Sequence, residues 1–110
     1  MDNQRLTFTV KTNNGLTRVA GTVVAPNIAY HRPVGYPSHY DRRPSDGDVW
    51  DLSQVSSGMQ IGRFQTIEAA TFYGEVAAKV SPNLVAGSPL TKPETDALAQ
   101  LRTDCGGWRN

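Results

Sequence analysis

Aromatic rings and planar cations are concentrated in one short stretch of the chain. Its members are Tyr30, His31, Arg32, Tyr36, His39, Tyr40, Arg42 and Arg43. Guanidinium groups bind phosphate through paired hydrogen bonds and aromatic rings stack on nucleobases, so this composition suits a nucleotide or single-stranded nucleic-acid site. Tyr and Arg are also enriched at the hot spots of protein interfaces, so the same stretch suits docking onto a protein. A third interpretation is a solvated loop whose arginines pair loosely with nearby aspartates.

Signatures of catalysis are weak. His31 and His39 titrate near neutral pH, but no third ligand type accompanies them, which disfavours a metal site or an acid–base pair. Ser56 and Ser57 lack the strand–turn–helix context of a nucleophile elbow. Cys105 lies at the wrong end of a helix for an activated thiolate, and we expect it to be a small core residue. The sequence therefore predicts a binding protein that is not an enzyme, with no cofactor and no metal.

Composition limits the partners and the compartment. The 110 residues carry a net charge of +1 and a single cysteine. We expect one domain, residues 1–110, that self-associates as a homo-oligomer because so small a domain buries its surface poorly alone. The small net charge disfavours direct nucleic-acid binding, which depends on neutralising phosphates. The lone cysteine fits the reducing cytosol, and the polar N-terminal residues predict neither a signal peptide nor a membrane partner.

A hairpin followed by a helix is predicted from Asp48 to Val80. Alternation predicts a strand to Val55, with Trp50 as a core anchor. Gly58 falls where a left-handed turn residue is needed, and Thr66 is placed to cap the helix. The predicted apolar stripe of that helix is Ala69, Tyr73, Val76 and Val80, widened by Ala70, Phe72 and Ala77.

Three more strands are predicted before this unit. Residues 6–10 alternate, Asn13-Asn14-Gly15 favours a tight turn, and residues 16–25 return, with Gly21 marking a bulge or bend. Residues 28–32 form a short strand bounded by prolines. Residues 33–48 have no usable periodicity and predict a long loop, a feature that in compact domains is commonly functional or disordered.

After the central unit we expect a linker at residues 81–90 and a second helix. Thr91 and Glu94 have the spacing of a capping box. The predicted inner stripe of this helix is Ala97, Leu98 and Leu101, and Gly106-Gly107 ends it. The fold class is therefore α+β, with an antiparallel sheet of about five strands, made of two hairpins plus a short strand, and two C-terminal helices packed on one face.

The central unit resembles a pattern found in small bacteriophage-encoded accessory proteins. The run 49–53 carries Trp50, the turn carries Ser57-Gly58, and a helix capped by Thr66 begins with Ala69-Ala70. The resemblance covers the middle third of the chain and carries over no binding residues. It implies a non-enzymatic inhibitor of host antiviral defence, acting in the host cytosol either on a nucleotide signal or on a defence protein in the manner of anti-CRISPR proteins.

We therefore predict that the chain sequesters a nucleotide signal or another phosphate-bearing ligand. The alternative is a protein–protein inhibitor that docks on a host nuclease or defence protein through the Tyr/Arg loop, and nucleic-acid binding is the third option. The predicted ligand-binding residues are Tyr30, His31, Arg32, Tyr36, His39, Tyr40, Arg42, Arg43, Trp108 and Arg109.

Overall fold

An antiparallel sheet forms the frame of the chain, whose computed structural model describes residues 4–12, 15–32 and 49–108. Five strands lie in chain order across the sheet. They are β1 (Arg5–Thr12), β2 (Gly15–Ala25), β3 (Ile28–His31), β4 (Trp50–Gln54) and β5 (Gln60–Phe64). The helices are α1 (Ile67–Val80), α2 (Pro82–Ala86) and α3 (Lys92–Asp104). This arrangement confirms an α+β fold with C-terminal helices. Within the described residues, no helix is both long enough and apolar enough to cross a membrane.

The connection between the two long helices is more ordered than a linker. Ser81 caps the short helix α2 by accepting a hydrogen bond from the Leu84 backbone N–H at 3.2 Å, and Pro82 occupies its first turn. Proline suits that position because its missing N–H would be unpaired there anyway. The expectation of a linker without regular structure at residues 81–90 is therefore wrong for Pro82–Ala86, whose Leu84 is buried in the core.

One face of the sheet packs against α1. Its core includes Ile28, Leu52, Phe64 and Tyr73, each fully shielded from solvent. The face that α1 buries consists of Ala70, Tyr73, Gly74 and Ala77. Four members of the predicted stripe lie outside it: Ala69 and Val76 are half-buried, and Phe72 and Val80 are 57% and 41% exposed. The stripe was misplaced because Gly74, which has no side chain to count as apolar, lies at the centre of the contact.

The opposite face of the sheet is enclosed by the curl of the first hairpin. Phe8, Val10 and Ala29 form a second, smaller core there. The Lys11 backbone N–H donates to the Gly58 carbonyl at 3.0 Å, so the end of β1 reaches the turn between β4 and β5. Gly21 permits the curl by close approach, because a Cβ there would lie 2.8 Å from a Phe8 ring carbon. The irregularity predicted at Gly21 lies instead between Val23 and Ala25.

The local signals at Gly58 and at the starts of α1 and α3 are confirmed, whereas the turn predicted at Asn13-Asn14 and the loop predicted at residues 33–48 lie outside the described residues. Gly58 has a φ of +72°, and the Thr66 hydroxyl accepts from the Ala69 backbone N–H at 3.0 Å. Thr91 and Glu94 form the complete capping box of α3. Along α3, Leu98 is buried as predicted but Ala97 faces solvent.

Candidate functional site

A cleft of about 480 Å³ opens on the helix-bearing face of the sheet, beside the first residue of α1. We call it the arginine cleft. It is lined by Arg5, Val19, Ala20, Gly21, Thr22, Tyr30, His31, Arg32, Trp50 and Ile67. Its volume lies within the range typical of small-molecule sites.

Strand pairing brings the polar residues of the arginine cleft to one face. Thr22 is the direct partner of both Arg5 on β1 and Tyr30 on β3. Directly paired residues point to the same face, and so does a residue two positions along a strand, so Arg32 joins this face. A short-range hairpin and a short third strand thus bring together side chains that are up to 27 positions apart, Arg5 to Arg32.

Trp50 supplies the aromatic floor of the cleft. Its ring meets that of Tyr30 edge to face, with centroids 5.4 Å apart at 85°. The Arg32 guanidinium carbon lies 4.0 Å from the Trp50 ring centroid, and Arg32 Nη1 donates to the Val49 carbonyl at 3.4 Å. Stacking on an aromatic face holds a guanidinium in place while its remaining N–H groups stay available. Trp50 is half-buried, so its prediction as a core anchor is wrong, and Phe64 and Tyr73 fill that role.

The described residues give the arginine cleft an excess of positive charge. Arg5 and Arg32 are both exposed, and among the described residues neither forms an ion pair with a carboxylate. No aspartate or glutamate of the described part of the chain lines the cleft. The N-terminus of α1 adds a partial positive charge, which Glu68 in its first turn partly offsets. Two guanidinium groups beside aromatic rings, with no carboxylate among the described lining residues, are suited to hold an anion that carries a planar ring.

His31 lies on the other side of the sheet from this chemistry. Its Nδ1 is 2.7 Å from the Arg32 carbonyl oxygen, which as an acceptor requires Nδ1 to carry the proton. Its Nε2 then accepts from the Ser53 hydroxyl at 2.9 Å. Burial lowers the pKa of His31, more than the hydrogen bond to the Arg32 carbonyl raises it. This serine–histidine pair was not foreseen from the sequence, and both side chains are too deeply buried to meet a substrate.

A buried ion pair lies next to Ser53. Arg63 Nε and Nη2 donate to the two Asp51 carboxylate oxygens at 2.5 and 3.1 Å, and Gln60 Nε2 donates to Oδ1 at 3.1 Å. Such two-point pairing satisfies both charges away from water. Asp51 is thereby committed to a structural role.

The described residues include four of the predicted ligand-binding positions. Tyr30 and Arg32 line the arginine cleft, and His31 borders it while its ring is held on the opposite face. Trp108 lies elsewhere, where its backbone pairs with Arg63 at the edge of β5 through hydrogen bonds of 3.0 and 2.6 Å. The remaining positions lie outside the described residues: Tyr36, His39, Tyr40, Arg42, Arg43 and Arg109.

Two contributors to the cleft were missed by sequence reasoning. Arg5 belongs to the polar N-terminal residues that precede the apolar alternation of β1, but its register with Thr22 places it on the face of Tyr30. The prediction of Trp50 as a core anchor rests on its large apolar ring and on its position on a strand of the central unit. The size and polar N–H of tryptophan, which is rarely buried completely, were the available signal that it could line a site.

Comparison with known proteins adds no further constraint: no protein-family model, curated protein or solved structure matches the chain.

Proposed function

We propose that the chain is a binding protein whose arginine cleft holds a phosphate-bearing ligand of nucleotide type. The observation that carries this proposal is the stacked arrangement of Arg32, Trp50 and Tyr30, with Arg5 on the same face. Each part of it matches one part of such a ligand. The guanidinium groups suit the phosphate and the aromatic surface suits the base.

The charge balance of the cleft favours an anion over a protein surface of mixed charge. Arg5 and Arg32 both lack a described carboxylate partner, so a bound phosphate has no internal competitor to displace. Because both arginines are exposed, the interaction is screened by salt. Affinity should therefore fall as ionic strength rises, whereas binding dominated by ring stacking alone would change little.

The role we propose is sequestration without turnover. The described serine–histidine pair, Ser53 and His31, is buried on the opposite face from the arginine cleft. A nucleotide held in the cleft therefore meets cations and rings but no described nucleophile paired with a base. Removal of a nucleotide signal from solution, the role that the phage resemblance implies, requires tight binding and an unchanged ligand.

Calorimetric titration with a panel of nucleotides tests the proposal. The panel contains adenosine and guanosine mono- and triphosphates, 3′,5′-cyclic mononucleotides and cyclic dinucleotides, with the corresponding nucleosides as uncharged controls. We expect micromolar or tighter binding of at least one phosphate-bearing member, weak binding of its nucleoside, and recovery of the ligand intact after incubation.

Matched variants locate the site. Arg5→Gln and Arg32→Gln should each weaken binding about tenfold, the equivalent of losing one charge-assisted hydrogen bond. Arg18→Gln is the control, because Arg18 is an exposed arginine of β2 that does not line the cleft. No detectable binding of any nucleotide in the panel, or an equal loss of affinity in all three variants, would contradict the proposal. No detectable nucleotide binding, together with capture of a host defence protein, would favour the protein-docking alternative.

A further inference from the structure

A second cavity, separate from the arginine cleft, lies under the last helix. It has a volume of about 320 Å³ and is bounded by the β4–β5 turn, α2, the connection to α3, and α3 itself. We call it the α3 cavity. Its apolar walls come from Met59, Ile61, Tyr73, Leu84, Pro89, Leu90 and Leu98.

Several polar groups in this wall are already paired within the protein. Gln54 Nε2 donates to the Leu84 carbonyl at 2.7 Å and its Oε1 accepts from the Ser57 hydroxyl. The Tyr73 hydroxyl donates to the Leu98 carbonyl at 3.3 Å. These pairings are directed into the wall, so the interior of the α3 cavity favours a hydrocarbon body.

Arg102 is the cation of the α3 cavity. Its stem passes over Gly62, where Cδ lies 2.9 Å from the position a Cβ would occupy, and Nη1 donates to the Ile61 carbonyl at 3.3 Å. Arg102 is half-buried and forms no ion pair with a carboxylate of the described residues. A guanidinium has five N–H donors in a fixed fork, so one bond to a carbonyl leaves donors for an anionic group.

We infer that the α3 cavity binds a small amphipathic carboxylate, with its hydrocarbon part against Leu84 and Leu98 and its carboxylate at Arg102. The cavity volume admits a short alkyl or aryl acid. Two features of one cavity support this ligand class: an apolar wall and a half-buried cation without a described counter-charge. This inference does not depend on the arginine cleft, and Arg5→Gln/Arg32→Gln should bind such an acid unchanged.

Methyl NMR with straight-chain acids tests the inference. Hexanoate, heptanoate and octanoate are titrated below their micelle concentrations, with 1-octanol as the uncharged control, while the methyl signals of Met59, Leu84 and Leu98 are followed. Leu16, which is 71% exposed and outside the cavity, reports non-specific binding. We expect saturable shifts at the cavity methyls, affinity rising about fourfold per added methylene, and octanol at least tenfold weaker than octanoate.

Two pairs of variants locate the ligand. Arg102→Gln should abolish the preference for octanoate over octanol, whereas Arg18→Gln should retain it. Thr95→Phe should block the cavity, and Thr103→Phe should not. Thr95 and Thr103 are matched because both are exposed on α3 and donate to the carbonyl four residues earlier, yet only Thr95 lines the cavity.

Three results would overturn the inference. The first is equal binding of octanoate and octanol by the unmodified protein. The second is no shift at the cavity methyls up to the solubility limit. The third is unchanged binding in Thr95→Phe. If Arg102→Gln fails to fold, the acid–alcohol comparison and the threonine pair still decide the question.

Discussion

Replacing Gly74 with alanine tests how closely α1 packs on the sheet. At an exposed position inside a helix this change stabilises a protein by about 1 kcal/mol, because glycine has the greater freedom to lose on folding. Gly74 is buried against β2, however. A Cβ there would lie 2.6 Å from Val24 Cγ2, and 3.5 Å from methyl groups of Ile28 and Leu52.

The size of the stability change depends on which of these contacts is too short to accommodate the added Cβ. The 3.5 Å contacts with Ile28 and Leu52 are ordinary packing distances, whereas 2.6 Å to Val24 is far inside contact range. A valine side chain is stiff about its single torsion, so the helix must shift, and overpacking of this kind costs about 1–3 kcal/mol. Subtracting the helix-propensity gain of about 1 kcal/mol predicts a net loss of up to about 2 kcal/mol for Gly74→Ala.

A double-mutant cycle in urea separates the two effects. In a Val24→Ala background the clash is absent, so Gly74→Ala should stabilise by about 1 kcal/mol, and the coupling energy should be about 1–3 kcal/mol. The cost of Val24→Ala itself cancels in the cycle. Stabilisation by Gly74→Ala in the otherwise unmodified protein, with no coupling to Val24, would refute the close packing of α1.

Three other predictions concern the buried polar groups and the assembly. The pKa of His31 is lowered from 6.5, so the unfolded state takes up a proton before the folded state does as the pH falls. The free energy of unfolding should therefore fall as the pH drops below about 6.5. Denaturation of His31→Gln between pH 5 and 8 should show a flatter dependence on pH. Asp51→Leu removes a carboxylate that pairs with the buried Arg63 guanidinium and should cost about 3–5 kcal/mol in urea denaturation, whereas Asp51→Leu/Arg63→Met should lose less, and an equal loss in both would contradict the ion-pair account. The chain should sediment as a homo-oligomer at micromolar concentration, and a single 12.0 kDa species would contradict this.

Features that depend on a few neighbouring residues could be predicted from the sequence. The Thr66 cap, the Thr91–Glu94 capping box and the left-handed Gly58 each depend on chemistry within four positions, and all three are present. The antiparallel pairing of β1 with β2, of β2 with β3 and of β4 with β5 followed from short connections and alternation in the same way.

Features that depend on distant pairing could not be predicted. The buried face of α1 is centred on Gly74 because Val24, 50 positions earlier, lies opposite it. The His31–Ser53 hydrogen bond joins neighbouring strands that are separated by the long segment 33–48. Helix α2 was missed because a five-residue helix shows no periodicity, and Pro82 lies in its first turn, where proline is tolerated.

In the candidate site, too, some residues could be predicted from local sequence and others depend on distant pairing. Tyr30 and Arg32 were identified by residue type, because a concentration of rings and guanidinium groups is visible in the sequence. Arg5 and Trp50 join them only through strand register and curvature. Composition thus suggested the chemistry of the candidate site, and the fold shows which of the described residues lie together in it.

The most direct test of the account is the fluorescence of Trp50 during titration with the nucleotide that binds best in calorimetry. Trp108→Phe leaves Trp50 as the sole tryptophan of the chain, and Trp50→Phe leaves Trp108, which does not line the arginine cleft, as the control. We predict a saturable change of Trp50 emission at the calorimetric Kd, weakened about tenfold by Arg32→Gln, with Trp108 emission unchanged. If calorimetry detects binding while Trp50 emission stays constant and Trp108 emission changes, the assignment of the site to the arginine cleft is contradicted.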